Sequence, residues 1–82
     1  MDIHHLVRMA NDIGNFFQVE PDRATAVHGM ADHIRRSWEP RMRRAIITHH
    51  RQGGEGMSEL ARLAIGQLDG ETLSLHETTG DG

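Results

Sequence analysis

A small all-α fold follows from three observations. Apolar residues recur at three- and four-residue spacing in four stretches of the chain, the signature of amphipathic helices. Each stretch is bounded by residues that start or stop helices. No segment alternates convincingly, and the weak alternation of Glu71–His76 is the only trace of a strand pattern. The expected architecture is a small bundle of three to four short helices over residues 1–68, followed by a flexible acidic C-terminal tail over 69–82.

Asp2 can cap a first helix from Ile3 to about Val19, because its carboxylate can accept from the free N–H groups of the first turn. Ile3, Leu6, Val7, Ala10, Ile13 and Phe17 share one face, and Met9 and Phe16 widen it to about half the circumference. So wide a face implies two neighbours. Glu20-Pro21-Asp22 breaks the pattern and opens a second helix, with Pro21 suited to its first turn and an apolar side of Ala24, Val27, Met30, Ala31, Ile34 and Trp38. Glu39-Pro40 is the next break. Proline pushes the residue before it out of α geometry but suits a first helical turn, so helix two ends near Trp38 and helix three begins at Pro40. Helix three runs to about Gln52 and stops at Gly53-Gly54. Ser58 can cap a fourth helix that packs with Leu60, Ala61, Ala64, Ile65 and Leu68. From Asp69 onward "DGETLSLHETTGDG" lacks helical periodicity and is expected to be disordered or loosely attached.

Eighty-two residues form one domain at most, and a domain of this size buries only about 60% of its unfolded surface. The aromatic residues are Phe16, Phe17 and Trp38, so the core is small. Such a chain folds as a compact helical unit or leans on a partner. Cysteine is absent, which removes disulfides, thiol nucleophiles and thiolate metal sites together. The opening "MDIHHLVRMANDIG" has no basic region and no long apolar run, so it does not read as a secretory signal. No stretch approaches the roughly 20 apolar residues that cross a bilayer. A soluble, cytoplasmic protein with no membrane contact is expected.

The net charge of −3 conceals an asymmetry. Residues 1–68 carry nine arginines against eight acids, and the tail carries four acids and no base. There is no lysine. Five of the arginines, the sole tryptophan and one of the two prolines fall in "RRSWEPRMRR", residues 35–44. On a helical wheel Met42, Ala45, Ile46 and His49 make the apolar strip of helix three. Arg41, Arg44, Thr48 and Arg51 lie within an arc of about 80° beside it. Arg43 and Ile47 point elsewhere, and Ile47 looks poorly covered by the domain's own core. Arginines bordering an apolar strip suit a protein interface, although many helix arginines are simply solvated.

Other chemistries find less support. A short helix, a turn and an arginine-rich helix resemble a helix-turn-helix only superficially. Pro40 occupies the turn, the domain is nearly neutral and the tail would repel phosphate, so a small nucleic-acid-binding regulator is the alternative and not the leading reading. Seven histidines invite a metal reading, yet His4-His5 and His49-His50 diverge by about 100° on a helix. His28 and His33 are five apart, and no His-x-x-x-His pair holds a metal on one face. His49 reads as packed or hydrogen-bonded. "GGEG" at 53–56 lacks the spacing and lysine of a phosphate loop, and Ser37, Ser58 and Ser74 have no triad or elbow signature. No catalytic, cofactor-binding or metal-ligating residue is expected in this chain.

"LVRMANDIGNFF" (6–17) and "HIRRSWEPRMRRAI" (33–46), joined through "EPDRA" (20–24), resemble the delta subunit of NAD-dependent molybdenum- or tungsten-containing formate dehydrogenases. The W-E-P-R-M-R run at Trp38–Arg43 is the most specific part, and the resemblance spans about residues 3–65. It implies a non-catalytic accessory subunit of a cytoplasmic complex that oxidises formate to carbon dioxide and reduces NAD. In that family an alpha subunit carries the bis-molybdopterin guanine dinucleotide centre and iron–sulfur clusters. Beta and gamma subunits carry FMN, further clusters and the NAD site. The delta subunit would support assembly, stability or cofactor maturation. The interface residues expected on this chain are Trp38, Arg41, Arg43, Arg44, Ile47 and Arg51, with Trp38 either in the core or offered to the partner. Arginine also suits dinucleotide phosphates, so help in cofactor insertion is a second route to the same role.

Overall fold

The computed structural model describes the backbone of residues 2–80 and the side chains of residues 2–71. Four helices make up the fold: α1 (Ile3–Phe17), α2 (Arg23–Ser37), α3 (Pro40–Arg51) and α4 (Glu59–Gly80). There is no strand among the described residues. The boundaries follow from local chemistry. The Asp2 carboxylate accepts from the His4 amide at 2.9 Å, and Asp22 accepts from the Thr25 amide at 3.0 Å, so both helices start where a side chain satisfies a free N–H. Pro21 therefore stands before the N-cap and outside α2, not in its first turn as expected. Helix α1 ends at Phe17, two residues short of the expected Val19, where Glu20 N–H turns back to the Phe17 carbonyl.

Helix α3 ends in a paired-bond glycine cap. Gly54 N–H donates to the His49 carbonyl at 2.9 Å and Gly53 N–H to the His50 carbonyl at 3.1 Å. That pattern needs a left-handed residue directly after the helix, and Gly53 supplies it with φ +116°. The loop to α4 is then tied down from two sides. Asn11 of α1 donates to the Gly56 carbonyl and accepts from the Ser58 amide, each at 2.9 Å. Arg62 of α4 donates to the Gly53 carbonyl at 2.7 Å and to the Met57 carbonyl at 3.2 Å. Ser58 caps α4 through the Ala61 amide, as its position predicts.

Helix α4 packs on all three other helices, and α1 does the same. The core runs between them, with Leu6, Met30, Ile34, Ile46 and Ile65 its largest fully buried side chains. All five apolar residues expected to pack from α4 are buried. Two expectations for the other helices do not hold. Phe16 stands 73% exposed, touching Phe17 edge-on at 5.2 Å, because the buried arc of α1 is centred on Leu6, Val7, Ala10 and Gly14 and excludes it. In α2 the buried alanine of the first turn is Ala26, and Ala24 faces solvent.

Helix α4 also continues past Leu68. Asp69 and Glu71, the first acids of the expected tail, are helical and each binds an arginine of another helix. Neutralisation of both carboxylates lets an acidic turn extend a helix that apolar periodicity alone would end. The rest of the tail expectation, residues 72–82, lies outside the described side chains.

Candidate protein-binding site on α3

The α2–α3 corner is built by the residues of the tryptophan–proline run. Trp38 is the C-cap residue of α2, in extended geometry, and its N–H still closes the last turn onto Ile34. Its ring is 5% exposed and belongs to the core. Glu39 has the extended backbone that a following proline requires, and Pro40 opens α3. Arg43 then folds back over the corner. Its Nη1 donates to the Arg35 carbonyl at 2.9 Å and the Trp38 carbonyl at 2.6 Å, two groups at the C-terminal end of α2. A cation here satisfies orphan carbonyls and the negative end of the α2 dipole together.

The remaining candidates separate by what they touch. Ile47 is 8% exposed and belongs to the core, so the expectation that the core leaves it poorly covered is wrong: α3 packs against both α1 and α4. Arg51 forms a bidentate pair with Asp69, its Nε lying 3.1 Å and 3.0 Å from the two carboxylate oxygens. The hydrogen bond from Arg51 holds the Asp69 carboxyl below its ordinary value, and Asp69 in turn raises Arg51. Arg35 is engaged with Glu71 at 2.7 Å and with Asp32 at 2.9 Å, and Arg36 with Asp32 at 2.9 Å. Arg41 and Arg44 are exposed and have no hydrogen bond or ion pair among the described residues. Of the five arginine and tryptophan candidates, only these two and the buried Trp38 ring have a side chain with no bonded partner among the described residues.

Four of the six nevertheless share one surface. Pro40, Arg43, Arg44, Ile47, Thr48 and Arg51 line a shallow concavity of about 370 Å³ on the outside of α3. Arg44 and Thr48 also border a second concavity of about 430 Å³, shared with Ile3, Ala45, His49 and Gln52. His49 is hydrogen-bonded, its Nε2 lying 2.8 Å from the Glu55 carbonyl oxygen. Its neighbour His50 packs on Gly66, and His50 Nδ1 is buried with no partner among the described residues. No group of three or more metal-ligating side chains occurs among the described residues, and none of the helices is long and apolar enough to cross a membrane.

The family model described as NADH-dependant formate dehydrogenase delta subunit FdsD matches residues 5–65, about three-quarters of the chain. The chain belongs to this family. No curated protein and no solved structure shows a significant match. The matched region holds most of α1, all of α2 and α3, the interhelical loop and the first turns of α4. It therefore contains the Trp38–Arg43 corner and the Arg41–Arg44 strip of this delta-subunit family member. Asp69 and Glu71, which occupy Arg51 and Arg35, lie beyond it.

Sequence reasoning missed Asn11 and Arg62 as organisers of the 53–58 loop. Their bonds reach 45 and 47 residues along the chain for Asn11, so no local pattern signals them. Arg62 bonds five and nine residues back, across the glycine turn, and the unusual density of glycine there was the available hint.

Proposed function

We propose that the chain is a non-catalytic accessory subunit of a cytoplasmic NAD-dependent formate dehydrogenase complex. It supports assembly, stability or cofactor maturation of the enzyme that converts formate and NAD to carbon dioxide and NADH. The observation that carries this reading is the family match across α1 to the start of α4, which includes the corner motif. The partner is the catalytic alpha subunit, within a complex that also holds beta and gamma subunits. The molybdenum or tungsten centre, iron–sulfur clusters, FMN and NAD belong to those subunits, and this chain binds none of them.

The outer face of α3 supports the contact. Arginine at the edge of an apolar surface is favoured where proteins meet, and Arg41 and Arg44 are two exposed arginines with no partner among the described residues. Trp38, Arg43, Ile47 and Arg51 contribute by shaping and stiffening that face. The test is affinity isolation of the tagged full-length chain from its native cytosol, with mass spectrometry and metal analysis of the product. A large molybdenum or tungsten protein with flavin and iron, in defined stoichiometry, is the expected result. Recovery of the chain alone, or with nucleic acid only, would refute the assignment. Formate oxidation by the complex purified from cells with and without the chain then separates a maturation role from a bracing role: a metal-poor complex indicates the first, a metal-replete but labile one the second.

A further inference from the structure

The arginines of this chain fall into anchored and unanchored sets. Arg23, Arg35, Arg36, Arg43, Arg51 and Arg62 each bind a carboxylate or a carbonyl of the chain. Arg8, Arg41 and Arg44 have no such partner among the described residues. Arg8 sits alone on α1, whereas Arg41 and Arg44 are three apart on α3 and so neighbours on one face.

Their position concentrates positive potential. The first turn of α3 contains no acid, and Glu39 makes no side-chain cap bond. Free N–H groups at a helix N-terminus already carry partial positive charge, which ordinarily draws acids to that turn. Here two free guanidiniums are added instead. Among the described residues no carboxylate pairs with them, although acids outnumber bases in the sequence. Beside them lies the concavity over Pro40 and Ile47. Its other cations, Arg43 and Arg51, are bound internally, so the free charge stands on one flank only.

We infer that this strip receives an acidic segment of a protein subunit, with two carboxylates about one helical turn apart. One carboxylate binds Arg41 and the other Arg44, each guanidinium offering a planar pair of donors. A small apolar side chain next to them rests on Pro40 and Ile47. The inference builds on the reading of the chain as a subunit of a formate dehydrogenase complex, and specifies the chemistry of the surface it meets. A nucleic acid fits less well: two free arginines neutralise few phosphates, and the chain as a whole is anionic.

The experiment uses the full-length chain and a purified formate dehydrogenase complex prepared without it, with binding followed by biolayer interferometry at low and moderate salt. Wild-type binding should weaken as salt rises. Arg41→Glu with Arg44→Glu should weaken it by about tenfold or more, mainly through slower association, with an unchanged circular dichroism melt. The charge-matched control, Arg8→Glu with Arg36→Glu, should bind within about twofold of wild type by the same reasoning. A photo-crosslinking residue at position 44 should attach to an acid-rich segment of the complex. Undiminished binding by the Arg41/Arg44 variant, or crosslinks to a segment without carboxylates, would overturn the inference while leaving the subunit reading intact. Tight, steeply salt-dependent binding of random-sequence RNA that the Arg41/Arg44 variant loses would assign the strip to phosphate and overturn it too. Failure of the wild type to bind the complex at all would remove the subunit reading and this inference together.

Discussion

Replacing Arg43 with methionine keeps the aliphatic stem and deletes the guanidinium, which isolates the brace over the α2–α3 corner. Two bonds are lost, one to the solvent-exposed Arg35 carbonyl and one to the partly buried Trp38 carbonyl. Hydrogen bonds from charged groups contribute about 1.5–3 kcal/mol when sheltered, and neutral exposed ones nearer 0.5. Water can rehydrate the Arg35 carbonyl at little cost. The Trp38 carbonyl is less accessible, so the expected loss is about 2 kcal/mol in total. In a domain of this length that lowers Tm by about 8–16 °C. Urea unfolding followed by the fluorescence of Trp38, the sole tryptophan, reads the effect at the corner itself. Arg41→Met, two residues away on the same helix and without a partner among the described residues, is the control and should stay within about 0.5 kcal/mol of wild type. If Arg43→Met unfolds with Arg41→Met and wild type, the guanidinium does not hold the corner. The geometry of the turn would then rest on Pro40 and the buried ring.

Trp38→Ala should cost about 3–5 kcal/mol because the ring is buried, a large share of the ~4–12 kcal/mol expected for a chain of this length; a thermal melt shifted by only a degree or two would contradict its place in the core. Gly70→Ala should stabilise α4 by up to about 1 kcal/mol, since an added methyl meets nothing within 4 Å and alanine favours the helix. Gly29→Ala should gain nothing, because its methyl would stand 2.8 Å from a Phe17 ring carbon; a reversed order of these two in chemical denaturation would refute the packing described. Acid should destabilise the fold in a defined window. Asp69 is held below its ordinary 3.8 chiefly by the Arg51 hydrogen bond, and Asp22 below the same value by Thr25, through its hydroxyl first and its amide second. A carboxylate depressed in the folded state stabilises fully above its unfolded value and loses that contribution as pH falls through the folded one. The urea midpoint should therefore hold steady above about pH 5 and fall below about pH 4, with a shallower fall in Asp22→Asn/Asp69→Asn. An acid limb of unchanged steepness in that variant would show that these two groups do not drive it.

Helix ends were legible because the groups that make them act within a few residues. Asp2 and Ser58 each cap an amide two or three positions ahead, and Pro40 and Gly53 act through their own backbone. The apolar stripe of α4 was legible for a related reason, since periodicity marks a face before its neighbour is known. Phe16 and Ala24 were misplaced because periodicity defines the width of a face only loosely, and the last side chain on its edge depends on how far the neighbouring helix extends.

The candidate site shows the same division more sharply. The sequence by itself determined that the chain is helical, that a corner stands at Trp38–Pro40, and that arginines crowd that corner. It could not determine which arginines are available to a partner. Arg51 finds Asp69 18 residues away and Arg35 finds Glu71 36 residues away, contacts that exist only because α4 lies across α2 and α3. Local bond geometry is set by neighbours in the chain. Charge pairing is set by neighbours in space, and only the packed bundle decided that Arg41 and Arg44 have none among the described residues.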